Sequence, residues 1–354
     1  MGVTVPLEGK LSGEAFALLL RTFSLPEPRS VRFVDSSHGE DDLRHNYIID
    51  NTYVLRANSQ PVMTDARLCE LNGLIERYRS LGLLAPRFLP AADGRYTAQA
   101  DGMHCYVSEY LNAPLADDVK DSCRESLIEQ RLELVCRFAA RYRGEALSET
   151  RAMYSLFKLA PYDKPCGIDE KQSNFNDLTA SLRESGEGEL AAALERRYGE
   201  IRARLRAVWD TLPECFFQGD ENFSNLCVDE QRRIIGLFDF NMAGTDVIAN
   251  YLANIAFQGK FFYSDECFAE WSAEKLYRAV MDSYAESTAR IRALYPFTAE
   301  ELDAYQLCAK IVVISGYVNT AAFSEFLSRK ETHEKTVELL RLILKDFLQE
   351  EDEP

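Results

Sequence analysis

Residues 216–244 read FFQGDENFSNLCVDEQRRIIGLFDFNMAG. Two short apolar runs, Leu226-Cys227-Val228 and Ile234-Ile235, flank the polar turn Asp229-Glu230-Gln231-Arg232, a spacing that predicts a β-hairpin. In an antiparallel ladder the start of the first strand and the end of the second lie at the same end of the pair. Asp220, Asn225 and Asp239 are therefore expected to converge. Three oxygen-bearing side chains at one strand end suit a metal ion and a phosphate.

Composition sets the bounds. The chain has 354 residues, 46% of them hydrophobic and 27% charged, enough for two lobes with a sizeable core. Its formal net charge of -17 speaks against general binding to nucleic acid or to an acidic membrane, which needs clustered Lys and Arg. The nine cysteines are scattered without a CxxC pair and read as small core residues of a reducing compartment. The four histidines, His38, His45, His104 and His333, show no zinc-ligand spacing. The amino terminus lacks a basic region followed by an apolar one, and Leu307 to Val318 is too short to span a bilayer and contains Lys310. The expectation is a soluble, cytoplasmic protein with neither a nucleic-acid nor a membrane partner.

Outward from the hairpin, the chain changes character once. Residues 31–57 read as strand, loop and hairpin, with the hairpin turn at Asp50-Asn51. Thr64-Asp65 predicts a helix cap, followed by Leu68, Leu71, Leu74, Ile75 and Tyr78 at helical spacing and an end near Leu81-Gly82. A hairpin around Asp93-Gly94 and Asp101-Gly102 leads into the strand Cys105-Tyr106-Val107-Ser108. Beyond residue 112 helical patterns dominate, expected around 127–142 and over 175–208, 248–262, 270–294, 299–327 and 332–349. The boundary is placed near Leu111-Asn112-Ala113-Pro114, giving lobes 1–111 and 112–354 with the opening hairpin in the second.

A small sheet with one helix, joined through a strand to a helical lobe carrying a catalytic hairpin, is the arrangement of a kinase-like phosphotransferase. Gln218-Gly219-Asp220 with Asn225, followed by Leu237-Phe238-Asp239-Phe240, resembles the H-G-D-x-x-x-x-N and I-D-F motifs of the aminoglycoside phosphotransferase and choline kinase-like family. The resemblance extends from about residue 30 to 330. It implies an α+β, protein-kinase-like fold of two lobes that uses ATP and Mg2+ to phosphorylate a hydroxyl of a small molecule. By the same resemblance Asp220 would be the catalytic base, and Asn225 and Asp239 the metal ligands.

The resemblance carries further residues with it. Arg56, in Tyr53-Val54-Leu55-Arg56, stands where the family has a phosphate-contacting lysine, and a guanidinium can fork onto phosphate oxygens. Glu70 on the capped helix is the candidate partner of Arg56, with a solvated helix flank as its equal alternative. Tyr106 to Leu111 resembles the lobe-connecting strand that receives the adenine, so Glu109 and Leu111 join the nucleotide-binding set. Gln218 replaces the family's His, and the loop Ser36 to Asp42 has one glycine and three acids where the family covers the phosphates. Those departures keep a second reading open, a nucleotide-binding regulatory pseudokinase with little turnover. No A-P-E-like segment follows Asp239, which disfavours a protein kinase proper. The excess of 57 Asp plus Glu over 40 Lys plus Arg points to an amino-bearing acceptor, although an acidic surface serving solubility accounts for the same counts.

Overall fold

The computed structural model describes residues 11–37, 39–119, 124–161, 163, 167–257 and 263–349. His38, Cys123, Cys166, the end of the helix expected over 248–262 and the acidic tail 350–353 lie outside the described residues. The chain divides into two compact units, Met1–Cys123 with Asp220–Phe240, and Arg124–Gly219 with Asn241–Pro354.

The first unit is built on an antiparallel sheet ordered β1 (Val31–Asp35), β2 (Arg44–Ile49), β3 (Tyr53–Asn58), β6 (Met103–Glu109) and β4 (Phe88–Leu89), with β5 (Thr97–Ala100) also paired to β6. The β2–β3 turn falls where expected, and Asp50 and Asn51 both take the left-handed backbone that suits Asn and Asp in tight hairpins. Strand alternation gives the sheet two different faces. Tyr47, Ile49, Leu55, Ala57, Cys105 and Val107 join one core with Ala15, Phe16 and Leu19. Those last three belong to a helix the sequence reading does not contain, α1 (Gly13–Thr22), N-capped by Ser12. Arg56, Asn58 and Tyr106 alternate onto the other face.

Helix α2 (Asp65–Ser80) starts at the predicted Thr64 cap, whose hydroxyl accepts from Arg67 N, and buries the five predicted apolar residues. Asn72 ties it to β4 through two hydrogen bonds with Phe88, at 3.0 and 2.9 Å. The predicted hairpin forms as β8 (Leu226–Val228) and β9 (Ile234–Leu237). Its outer edges are also paired: Leu84 bonds Ile235 and Leu237 at 2.8 and 2.9 Å, and Val228 bonds Pro114 at 2.9 Å. These bonds join the hairpin to the chain leaving α2 and to the chain leaving the sheet.

The second unit is helical around one two-stranded ladder, β7 (Glu214–Phe217) with β10 (Gly244–Val247). Its helices are α3 (Arg124–Arg141), α4 (Glu170–Glu184), α5 (Gly188–Val208), α6 (Ile248–Phe257), α7 (Asp265–Glu270), α8 (Ala273–Leu294), α9 (Ala299–Ser315), α10 (Tyr317–Ser328) and α11 (Lys330–Leu342). Three expected helices are divided. The run 175–208 breaks at Gly186, whose positive φ lets Glu187 N reach back to Leu182 O at 2.8 Å. The run 299–327 breaks at the extended Gly316, and 332–349 passes into a π turn at Ile343–Phe347.

By length and composition Ala299–Ser328 could cross a membrane, which Leu307 to Val318 alone could not, but 67% of its apolar window is buried inside the fold. Helix α9 packs on α4, α5 and α6, the environment of a core helix. The seven cysteines among the described residues are free thiols, five of them buried. Burial pushes Cys105 and Cys136 up to about 12, which keeps them as protonated packing groups.

Asp246 on β10 is completely buried. Its Oδ1 accepts from Val247 N and its Oδ2 from Asn250 Nδ2, both at 2.8 Å. Burial pushes its pKa up to about 8 against the two hydrogen bonds, with Glu214 adding to the rise. The folded value lies above the unfolded one, so the folded protein holds this proton more tightly. The resulting stability is complete below the ordinary carboxylate range and is lost progressively up to pH about 8. We expect Asp246→Asn to shallow the fall of unfolding free energy between pH 5 and 8, by up to about 1.4 kcal/mol per pH unit, in urea titrations.

Candidate active site

Strand β7 ends at Phe217, and the chain turns through Gln218, which is completely buried, and Gly219. Only glycine fits there. Gly219 has φ of +90°, and a Cβ would stand 2.2 Å from the Met242 carbonyl oxygen. Its amide donates to the Tyr251 hydroxyl at 3.1 Å, and the ring of Tyr251 lies flat on Phe217 with centroids 3.8 Å apart. The turn that delivers Asp220 is thus defined by sterics on one side and a buried hydrogen bond on the other.

From Asp220 the chain makes a short 3-10 turn, Phe223–Asn225, and enters β8. Asn225 Nδ2 donates to both the main-chain oxygen and Oδ2 of Asp220, each at 2.9 Å. Asn222 donates to the other carboxylate oxygen. Across the ladder Phe238 N bonds Asn225 O at 3.1 Å, which brings the end of β9 level with the start of β8. Asp239 follows in a left-handed conformation, φ of 56°, and Phe240 anchors the exit against Tyr78, ring centroids 6.0 Å apart. The expected convergence of Asp220, Asn225 and Asp239 is therefore present. Burial and the charge of Asp239 raise the pKa of Asp220 above the ordinary carboxylate value, while the Asn225 hydrogen bond opposes them.

The sheet supplies the other candidates. Arg56 stands opposite Tyr106 in the β3–β6 register, and its Nε is buried with no hydrogen-bond partner. Glu70 lies on α2 with its carboxylate 3.6 Å from Arg67, one helical turn away. The Glu109 carboxylate accepts from Arg79 at 3.2 Å and from the Arg87 amide at 3.0 Å. No main-chain hydrogen bond involves Leu111 among the described residues. In the acidic loop after β1, Asp42 is held by a bidentate pair to Arg44, so one of its three acids carries its own counterion. Asn222 and Tyr106 are absent from the sequence-derived set. Asn222 could have been found from its place two residues after Asp220, Tyr106 only from the strand register.

The donor chemistry fits a small, hard cation. Asn225 uses its amide nitrogen on Asp220, which leaves Oδ1 as its free acceptor, and Asp239 adds a carboxylate close enough to act on Asp220. Among the described residues no group of three or more His, Cys, Asp or Glu could hold a metal. Two protein oxygens suffice where phosphate and water complete the shell.

No curated protein sequence matches the chain significantly. Among solved structures, an aminoglycoside phosphotransferase from Alicyclobacillus acidocaldarius matches 96% of this chain and 95% of its own, at 12% identity and a TM-score of 0.50. An amicoumacin kinase matches 95% of each chain, at 11% identity and a TM-score of 0.51. At such identities the likeness shows the α+β, kinase-like fold. The family model described as the phosphotransferase enzyme family matches residues 44–294, well over half of the chain and the whole stretch from β2 through the Asp220–Asp239 hairpin to α8. The chain belongs to the phosphotransferase enzyme family and is a small-molecule kinase.

Proposed function

We propose that this kinase transfers the γ-phosphate of ATP, with magnesium, to a hydroxyl of a small molecule, and that Asp220 is its base. The observation that carries the reading is the arrangement of Asp220, Asn225 and Asp239 around one strand end. Asp220 is oriented by Asn222 and Asn225, and its raised pKa moves it towards the range where a carboxylate accepts a proton more readily. It takes the proton of the acceptor hydroxyl as the oxygen attacks phosphorus. Asn225 Oδ1 and Asp239 are the proposed ligands of magnesium, which when bound offsets the charge of the phosphate oxygens.

Arg56 is the proposed phosphate contact, and its buried, unpartnered Nε supports that use. Glu70 is proposed as its α2 partner, since an ion pair to Arg67 at 3.6 Å is loose enough to exchange. The main chain at Glu109 and Leu111 is proposed to meet the adenine. The division of labour at residue 111, nucleotide before it and acceptor after it, belongs to the same reading. So does a cytoplasmic location, supported by the free thiols. The amicoumacin kinase structure holds AMP-PNP and Ca2+, which accords with nucleotide and divalent-cation use. The acceptor is proposed to bear an amino group, on the strength of the net charge of -17.

Asp220→Asn should lower phosphotransfer by about 10² to 10⁴ while nucleotide affinity stays within a few-fold, since the base meets the acceptor and not the nucleotide. Wild-type turnover in that variant would sink the assignment. Asp239→Asn should remove most of the magnesium dependence of ATP binding in calorimetric titrations, and an unchanged dependence would return Asp239 to a structural role. Phosphorus NMR on matched amino and neutral hydroxyl compounds at two ionic strengths identifies the acceptor class. Preference for neutral or anionic compounds under both conditions would overturn the amino-bearing expectation and leave the kinase reading standing.

A further inference from the structure

Strand β7 leaves its ladder at Phe217, the residue paired with Gly244. Just beyond, the Gly219 amide is tied by a side chain instead of a strand: it donates to the Tyr251 hydroxyl at 3.1 Å, a buried bond within the second unit. This restraint acts at the least rigid point of the turn. Glycine is the residue that the space beside the Met242 carbonyl admits, yet it visits left- and right-handed backbone about equally readily. Sterics thus exclude side chains from position 219 without fixing its peptide plane. The hydrogen bond supplies that direction, because rotating the Gln218–Gly219 peptide would strand a buried N–H, a state native backbones rarely tolerate.

The acceptor of that bond is itself held firmly. Tyr251 is completely buried on α6, and its ring lies on Phe217 with an interplanar angle of 2°. Tyr154 packs against the same ring, tilted by 53° with centroids 5.9 Å apart. Asn250, the neighbour of Tyr251 on α6, donates to the Tyr154 main-chain oxygen at 2.7 Å, so Tyr154 is fastened to the helix it packs on. One ring therefore meets the chain twice, at Phe217 by stacking and at Gly219 by hydrogen bonding.

Asp220 is thus restrained on both sides along the chain. After it, Asn225 binds its main-chain oxygen and its carboxylate; before it, Tyr251 holds the peptide from which it starts. We propose that Tyr251 is a positioning residue for phosphotransfer: its hydroxyl fixes the Gln218–Gly219 peptide and so the place from which Asp220 reaches the acceptor hydroxyl. This inference rests on the assignment of Asp220 as the base. A base must stand within hydrogen-bond reach of the proton it removes, and a misplacement of about 1 Å costs about a hundredfold in rate. The proposed nucleotide contacts Arg56 and Glu109 lie on strands of the first unit, whereas Tyr251 belongs to the second. A change at position 251 falls on turnover and spares nucleotide binding.

The test compares variants of the full chain by ATP hydrolysis, with water as the acceptor, alongside MgATP affinity by calorimetry and the thermal midpoint. Tyr251→Phe keeps the stacked ring and deletes the acceptor of the Gly219 bond, whereas Phe217→Leu loosens the stack and leaves the hydroxyl. In Tyr251→Phe, kcat should fall about ten- to a hundredfold while MgATP affinity stays within a few-fold. In Phe217→Leu the midpoint should fall at least as far while kcat stays within a few-fold, a split that a merely structural role does not produce. Wild-type kcat in Tyr251→Phe, or a kcat that tracks the midpoint across both variants, would overturn the inference. If Tyr251→Phe does not fold, or water is too poor an acceptor for turnover to be read, hydrogen exchange at the Gly219 amide of the wild-type protein decides. Protection is expected there, and exchange at the rate of an open loop would overturn the inference. Asp220→Asn separates the two levels. Undiminished turnover in it removes the base and the inference with it, while an inactive Asp220→Asn beside a fully active Tyr251→Phe sinks the inference only.

Discussion

Asn225 holds Asp220 twice through one amide nitrogen, at the main-chain oxygen and at the carboxylate, and the geometry of the hairpin follows from that pair of bonds. The first closes the loop on itself, and the second gives the carboxylate a single orientation. Asn225 is also the residue that Phe238 meets across the ladder, so the residue whose side chain orients Asp220 sets, through its main-chain oxygen, where Asp239 emerges. A carboxylate so held, desolvated and facing another carboxylate resists ionisation more than a solvated one.

The sheet of the first unit shows how one strand can present two different faces at once. With a side-chain period of two, β3 gives Leu55 and Ala57 to the core beneath α1 and keeps Arg56 and Asn58 on the opposite face. Shifting the register by one residue would exchange the two sets. The apolar face therefore does more than stabilise the unit. It dictates that Arg56 and Tyr106 stand opposite each other on the second face.

The second unit manages a different tension, that of burying polar groups. Glu301 is 1% exposed, yet it accepts from Arg143 and Tyr295 and completes the capping box of α9 with Thr298, so each oxygen is satisfied. Asp246 is solved another way, by keeping its proton. One buried acid is ionised by its partners and the other neutralised by its surroundings, the division expected where hydrogen-bond donors are plentiful in one place and few in the other.

Local chemistry made much of this protein legible from its sequence. The Asp50-Asn51 turn, the Thr64 cap, the apolar rows of α2 and the β8–β9 hairpin all depend on neighbours within a few residues, and all form as expected. The spacing of Asp220, Asn225 and Asp239 was readable for the same reason, since a hairpin brings its two ends together by itself. The two long helical rows that break at Gly186 and Gly316 were not, because apolar periodicity continues across a break; the bond from Glu187 to Leu182 forms only when the chain reverses, and Gly316 ends its helix by an extended backbone. Which of two apolar strand faces would carry the core, which acid would keep its proton, and that Tyr106 stands opposite Arg56 were likewise beyond the sequence. Each depends on register and burial between segments far apart in the chain, and those are properties of the packed structure alone.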